Sequence, residues 1–289
     1  MIDALGYILE EQKKSAAVTE ADYIGKDGLL YCAKCHTPKQ QRFDEEKWNL
    51  LKSITGDFPR ITWRQCDCEF EREQREQAEK DEAERRAKIE DAREKCFPDV
   101  LLRTWRFQNA REIGDREAMR KAKIYADKFS QALEHNFGMT FWGSIGTGKT
   151  YLAACIANSV IEQGFTCLMT SFPRIIDGAW DKDKREAYFE SFTQYDLLVI
   201  DDLGVERKTG YVDETVTKVI DRRCNSGKPI VVTTNLTPAN MADKSNDLSD
   251  KRVYSRLFTM ARPLEVKGGD LREIIGAEKI KKSMEIFNF

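Results

Sequence analysis

After about Arg116 the chain alternates between helix-like stretches and five short apolar runs: 139–142 (MTFW), 165–170 (FTCLMT), 197–200 (LLVI), 230–234 (IVVTT) and 264–266 (LEV). The runs are short, bounded by polar or turn-forming residues, and separated by amphipathic stretches. They predict strands of a parallel sheet buried on both faces, an α/β fold. Upstream, 69–95 is almost entirely Glu, Arg, Lys, Gln and Ala. Opposite charges sit four apart there, as in Glu71 with Arg75, Glu82 with Arg86 and Glu84 with Lys88. That pattern predicts an exposed helix, ended by Cys96, Phe97 and Pro98. Without a regular a/d apolar seam, it reads as a single solvated linker rather than a coiled coil. Residues 1–68 mix Gly, Pro, aromatics and four paired cysteines. The expected organisation is therefore a small module at 1–68, a charged linker at 69–96 and the α/β domain at 97–289.

Composition changes this picture little. At 289 residues, with 41% hydrophobic and 33% charged residues, there is enough apolar material for a real core. There is no apolar run of about 18 residues and no basic segment before a short apolar one at the start, which implies a soluble, cytoplasmic protein without a membrane partner. In that reducing compartment the eight cysteines are not expected to form disulfides. A net charge of −2 gives no general attraction to nucleic acid, so any DNA contact would need a local basic surface.

The chemistry is concentrated after the first apolar run. Gly143, Ser144, Ile145, Gly146, Thr147, Gly148, Lys149 and Thr150 fit GxxxxGK[ST], follow a strand and precede a helix-forming stretch that ends at Gly164. Such a P-loop curls backbone amides around phosphates, places Lys149 at the β/γ-phosphates and gives Mg²⁺ the Thr150 hydroxyl. The run at 197–200 delivers Asp201 and Asp202 at a sheet edge where ligands bind. Asp201 is expected to hold Mg²⁺ through water, and Asp202 to orient or deprotonate the attacking water. Asn235, after the next strand, offers an amide to that water or to the γ-phosphate, or is simply a turn residue. Arg252 and Arg256, four apart on an expected helix, and Arg272 beyond them, are either surface residues or groups that neutralise charge on ATP, one of them on a neighbouring subunit's nucleotide.

Cys32, Cys35, Cys66 and Cys68 supply four thiolates, the complement of a closed tetrahedral Zn²⁺ site. The CxC half needs a tight turn to converge its sulfurs, and His36 is an alternative fourth ligand. Such a site would be structural. Cys96, Cys155, Cys167 and Cys224 read as buried packing. Segment 172–190 brings Arg174, Lys182, Lys184 and Arg185 beside Phe172 and Trp180, which suits single-stranded DNA. The intervening Asp177, Asp181 and Asp183 suit a solvated helix face equally.

The order GSIGTGKT, LLVIDD, VVTTN, RVYSRL and DLRE, together with MTSFPRII and YDLLVIDDLGVER, resembles the AAA+ ATPases of the DnaC/DnaI helicase-loader family, with the IstB transposition helpers related. The resemblance covers about 97–285. It implies a sheet of order 5-1-4-3-2 with a small helical lid, and ATP-dependent self-association on single-stranded DNA. It also implies a replicative hexameric helicase as partner, docked through the zinc module. By the same resemblance Asn235 is sensor 1, Arg256 the arginine finger in preference to Arg252, and Arg272 the sensor 2 arginine. Asp202 departs from the Glu of many relatives, which implies slow, switch-like hydrolysis. An ATPase assisting a transposase, and a nucleotide-gated adaptor without catalysis, are the competing functions.

Overall fold

The computed structural model describes residues 18–56, 58–111, 113–181, 183–204, 210–243 and 248–288. Residues 1–17 of the expected N-terminal module and Lys182 of the basic segment lie outside the described residues. The chain divides into two compact units, Met1–Arg86 and Ala87–Phe289, a division that falls inside the charged helix.

In the first unit, β1 (Tyr23–Ile24) pairs antiparallel with β2 (Leu30–Tyr31). β3 (Gln40–Arg42) pairs antiparallel with β4 (Ile61–Trp63), and α1 (Glu45–Thr55) lies between them in sequence. Asp44 caps α1 by accepting from Lys47 N at 2.8 Å, yet the helix buries none of its residues. Among the described residues of this unit, the buried apolar side chains are Leu29, Cys32 and Cys66. So thin a core does not hold a small unit by burial alone, and the cysteines sit at its centre.

The helix α2 (Asp67–Cys96) is exposed at every residue from Phe70 to Lys88. Glu82 pairs with Arg86 at 2.9 Å as the spacing predicts, whereas Arg75 donates to the Glu71 carbonyl instead of its carboxylate. Each such surface pair adds only about 0.3–0.5 kcal/mol, so α2 owes its length to many weak terms. Near its end Arg93 and Cys96 are buried, and Arg93 donates to Asn158 Oδ1 at 3.0 Å and pairs with Glu162.

The second unit continues with two 3₁₀ turns, Val100–Thr104 and Phe107–Asn109. The regular elements follow as α3 (Arg116–Asp127), α4 (Phe129–Glu134), β5 (Gly138–Trp142), α5 (Lys149–Glu162), β6 (Cys167–Ser171), α6 (Phe172–Gly178) and α7 (Arg185–Ser191). The rest are β7 (Leu197–Leu203), α8 (Gly210–Asn225), β8 (Ile230–Thr234), α9 (Pro238–Met241), α10 (Leu248–Met260), β9 (Ala261–Glu265) and α11 (Leu271–Phe287). The strands form one sheet of order β6-β7-β8-β5-β9 with every pairing parallel. Numbered within the domain this is 5-1-4-3-2, as expected. Alternate residues face two cores: Leu197, Val199 and Val231 join one, Leu198, Ile200, Ile230 and Val232 the other. Burial on both faces is why these strands read as unbroken apolar runs. No helix among the described residues is long and apolar enough to cross a membrane.

Two expectations shift. The fifth strand lies at Ala261–Glu265, earlier than the apolar run at 264–266, because it is an edge strand with Arg262 and Pro263 exposed. An edge tolerates proline and does not demand continuous apolarity. The expected helical lid is, among the described residues, the single helix α11.

Among the described residues, the largest fully buried side chain is Arg223 of α8. Its guanidinium donates to Phe192 O at 3.1 Å, Tyr195 O at 2.8 Å, Asp196 O at 2.8 Å and Pro229 O at 2.6 Å, tying together the loops that enter β7 and β8. Burial lowers its pKa to about 10, which leaves it charged at neutral pH. Arg223→Met leaves buried carbonyls without donors, at an expected cost of about 3–5 kcal/mol. Thermal denaturation followed by circular dichroism should show a Tm lower by about 10 °C; an unchanged Tm would contradict this account.

Candidate functional site

The site is built where β5 hands over to α5. Gly143 has φ +148, and a Cβ there would lie 2.4 Å from Val266 O, so only glycine allows this approach to the segment after β9. Gly146, at φ +80, meets the Asp270 carboxylate in the same way: a Cβ would lie 2.0 Å from Oδ1. Leu271 N donates to Gly146 O at 3.0 Å, which sets the start of α11 against the loop. Lys149 is 5% exposed and donates from Nζ to Gly143 O at 3.0 Å and Ser144 O at 2.7 Å. Burial pulls its pKa down, against the pull of Asp202 and Asp201.

Asp201 and Asp202 lie in an irregularity of β7. Ile200 pairs with Val232 and Leu203 with Thr234, so β7 takes three steps where β8 takes two. This is a bulge with one extra residue, and Asp202 adopts φ +57 within it. Burial raises the Asp201 pKa, opposed by hydrogen bonds from the Thr233 and Thr150 hydroxyls and reinforced by the Asp202 charge. The Thr150 hydroxyl is near enough to Asp201 to act on its pKa, and both present oxygen, the donor type that Mg²⁺ requires.

A cavity of ≈ 730 Å³ spreads over this edge of the sheet. Residues of the P-loop from Ile145 to Thr150, together with Asp202, Asn235 and Arg272, line it. Asn235 directly follows β8 and is exposed. Arg252 and Arg256 do not line the cavity; both lie on α10, where Arg252 is exposed and Arg256 is ion-paired with Asp221 of α8.

One wall of the cavity lies outside the motifs of the sequence. Thr104, Trp105, Asn109, Arg111, Ile113 and Met119 come from the segment before and within α3. With Leu271 and Ile275 of α11, the apolar members make a surface suited to a planar base. The available signal was Ile113-Gly114-Asp115: Gly114 has φ +90, and Asp115 caps α3 through Glu117 N and Ala118 N while also accepting from Lys267 N. Asn158 of α5 fixes the same segment by donating to Leu102 O and Trp105 O, both at 2.9 Å.

In the first unit the four Sγ atoms of Cys32, Cys35, Cys66 and Cys68 lie within 4.8 Å of one another. Cys32 to Cys68 is 3.7 Å and Cys66 to Cys68 is 3.5 Å. Tetrahedral Zn–S bonds of about 2.3 Å require sulfurs about 3.8 Å apart, so the donor set and its spacing fit zinc. The CxC convergence comes from the start of α2, since Cys66 precedes the helix and Cys68 lies in its first turn. His36 is outside the cluster, its Nδ1 3.1 Å from Tyr23 Oη.

The basic segment is less open than its sequence suggests. Phe172 is fully buried in the core and is unavailable for stacking. Arg174 pairs with Asp99 and Lys184 with Asp181, while Trp180 is 78% exposed.

Residues 69–274 match the family described as IstB-like ATP binding protein. The replicative helicase loader DnaC of Escherichia coli (strain K12) is 30% identical over 149 residues, covering 50% of this chain and 58% of that protein. The replicative helicase loader DnaI of Bacillus subtilis (strain 168) is 23% identical over 147 residues, 47% of each chain. The chain thus spans about half the length of these curated relatives. The crystal structure of the DnaC helicase loader aligns with TM-score 0.51 at 23% identity, over 58% of this chain and 100% of that one. The DnaI crystal structure gives 0.51 at 20% identity, over 60% and 96%. These likenesses show that the chain shares the α/β fold of those two proteins. Because the matched region is well over half of its length, the chain belongs to the family of IstB-like ATP binding proteins.

Proposed function

We propose that this chain is a Mg²⁺-dependent ATPase that assembles on single-stranded DNA and delivers a replicative hexameric helicase. The observation that carries the ATPase reading is the convergence of Lys149, Thr150, Asp202, Asn235 and Arg272 on one cavity. The similarity to replicative helicase loaders supports the replication role over assistance to a transposase.

In this reading the P-loop amides and Lys149 bind the phosphates, and Thr150 and Asp201 hold Mg²⁺. The metal, when bound, neutralises charge on the β- and γ-oxygens. Asp202 orients or deprotonates the attacking water, Asn235 hydrogen-bonds that water or the γ-phosphate, and Arg272 faces the phosphates. Arg256 acts on a neighbouring subunit, which agrees with its place outside the cavity of its own chain. Hydrolysis is then slow and dependent on assembly. The cysteine cluster holds Zn²⁺ and stabilises a docking module for the helicase. Trp180 and the basic residues near it contact single-stranded DNA, and the protein works in the cytoplasm.

Lys149→Ala should abolish binding of a fluorescent ATP analogue. Arg256→Ala should bind it normally and hydrolyse ATP about 10³-fold more slowly. Mixing the two variants should restore part of the turnover, because each supplies what the other lacks. Normal hydrolysis by Arg256→Ala would rule out the shared site.

Deleting 1–68 should abolish co-purification with the co-expressed helicase and leave ATP binding intact. Elemental analysis should find one zinc per chain, lost in Cys66→Ser. Retained co-purification after the deletion would refute the docking role.

Affinity for single-stranded DNA should fall steeply as salt rises, and Trp180→Ala should weaken it by roughly 1–3 kcal/mol. Binding indifferent to salt would exclude this contact.

A further inference from the structure

Consecutive residues of a regular strand point to opposite faces, so two adjacent aspartates would normally diverge. Here the bulge in β7 intervenes, and Asp202 sits at φ +57, a left-handed conformation unfavourable for any residue with a Cβ. A bulge also leaves its extra residue without a ladder partner. The N–H of Asp202 instead donates to Thr233 Oγ1 at 2.9 Å. The same hydroxyl donates to Asp201 Oδ1 at 2.6 Å. Thr233, on β8, is fully buried. A threonine hydroxyl has one proton to give, and here it goes to one aspartate while a lone pair receives the backbone of the next. Thr234 closes the far side of the bulge, donating to Leu203 O at 2.7 Å and accepting from Leu236 N at 3.1 Å.

We infer that Thr233 is the positioning residue of the site: its hydroxyl locks the bulge, fixing the Asp201 carboxylate while Asp202 is held toward the cavity. The inference rests on the proposed roles of the two aspartates and deepens them. It concerns neither phosphate binding nor the arginines. An ordinary buried hydroxyl satisfies itself on the nearest backbone carbonyl, as Thr234 does. Thr233 differs because both of its bonds end on the two acidic residues.

The test compares full-length Thr233→Val, Thr233→Ser and Thr234→Val with the parent chain. Three quantities are read: melting temperature, binding of a fluorescent ATP analogue as Mg²⁺ is titrated, and turnover. Removing a group that orients a metal ligand typically costs about 10–100-fold in metal affinity or activity. Thr233→Val should therefore raise the Mg²⁺ concentration for half-saturation by about 10-fold or more and lower turnover similarly, with metal-free nucleotide binding unchanged. Thr233→Ser, which keeps the hydroxyl, should restore both. Thr234→Val should lower the melting temperature without moving the Mg²⁺ dependence. If Thr233→Val does not fold, Thr233→Ala at low temperature makes the same comparison. Parental Mg²⁺ dependence and turnover in the hydroxyl-free variant would overturn the inference, as would equal effects in Thr234→Val. Asp201→Asn separates the two levels: if it leaves Mg²⁺ dependence unchanged, the metal role of Asp201 fails; if it shifts the dependence and Thr233→Val does not, only the role of Thr233 fails.

Discussion

The register of the parallel sheet is the constraint on which the candidate site depends. Trp142 at the end of β5 pairs with Thr234 at the end of β8, and Thr234 pairs with Leu203 at the end of β7. Three strands distant in sequence therefore finish at one level. The P-loop, the two aspartates and Asn235 leave the sheet from the same edge. Parallel pairing with helical crossovers produces this edge wherever it occurs, which is why ligands of open α/β sheets collect at the carboxyl ends of strands. A slip of one residue in β8 would send Val231 into the core of Ile230 and Val232, and those two into its own, as well as moving Asn235, so packing and chemistry enforce the same register.

The edge is also where opposing electrostatic demands meet. Lys149 and Asp201 are both disfavoured as ions by burial, and each is helped by the charge of the other. Asp202 helps the lysine and opposes the neighbouring aspartate. Backbone and hydroxyl groups reduce the conflict: Lys149 donates to two loop carbonyls, and Asp201 accepts from Thr233. A site so arranged suits a cationic metal beside polyanionic phosphates, because both kinds of buried charge then gain a counterpart. The bulge adds local strain at Asp202, at a position where the short polar side chain of Asp tolerates the left-handed conformation better than a longer one.

The first unit solves a different problem. Its described residues bury few apolar side chains, and the convergence of four cysteines takes the place of a core. Next to them a buried ion pair, Lys39 with Asp22 at 2.9 Å, and Glu69 within 3.4 Å of the Cys66 sulfur, surround the cluster with polar contacts. Such a unit specifies its shape through a few directional bonds.

Much of this was legible in the sequence because it is local. Apolar runs buried on both sides announce strands, Gly143 to Thr150 carry the steric needs of a phosphate loop, and charges four apart announce α2. The CxxC and CxC spacings likewise named the four clustered sulfurs. Tertiary structure decided what depends on partners far along the chain. The edge strand is set by pairing with β5, so its position at Ala261–Glu265 does not follow its own apolarity. Phe172, apparently free to stack, is claimed by the core. The wall from Trp105 to Ile113 is set by partners far along the chain: Asn158 donates to Trp105 O, and Asp115 accepts from Lys267 N. The two threonines of VVTTN look like ordinary strand residues, and only cross-strand pairing with a bulged neighbour gives their hydroxyls Asp201, Asp202 and Leu203 as partners. Propensity and motif spacing act over a few residues, whereas hydrogen-bond partners across a sheet are assigned by register, which no single segment contains.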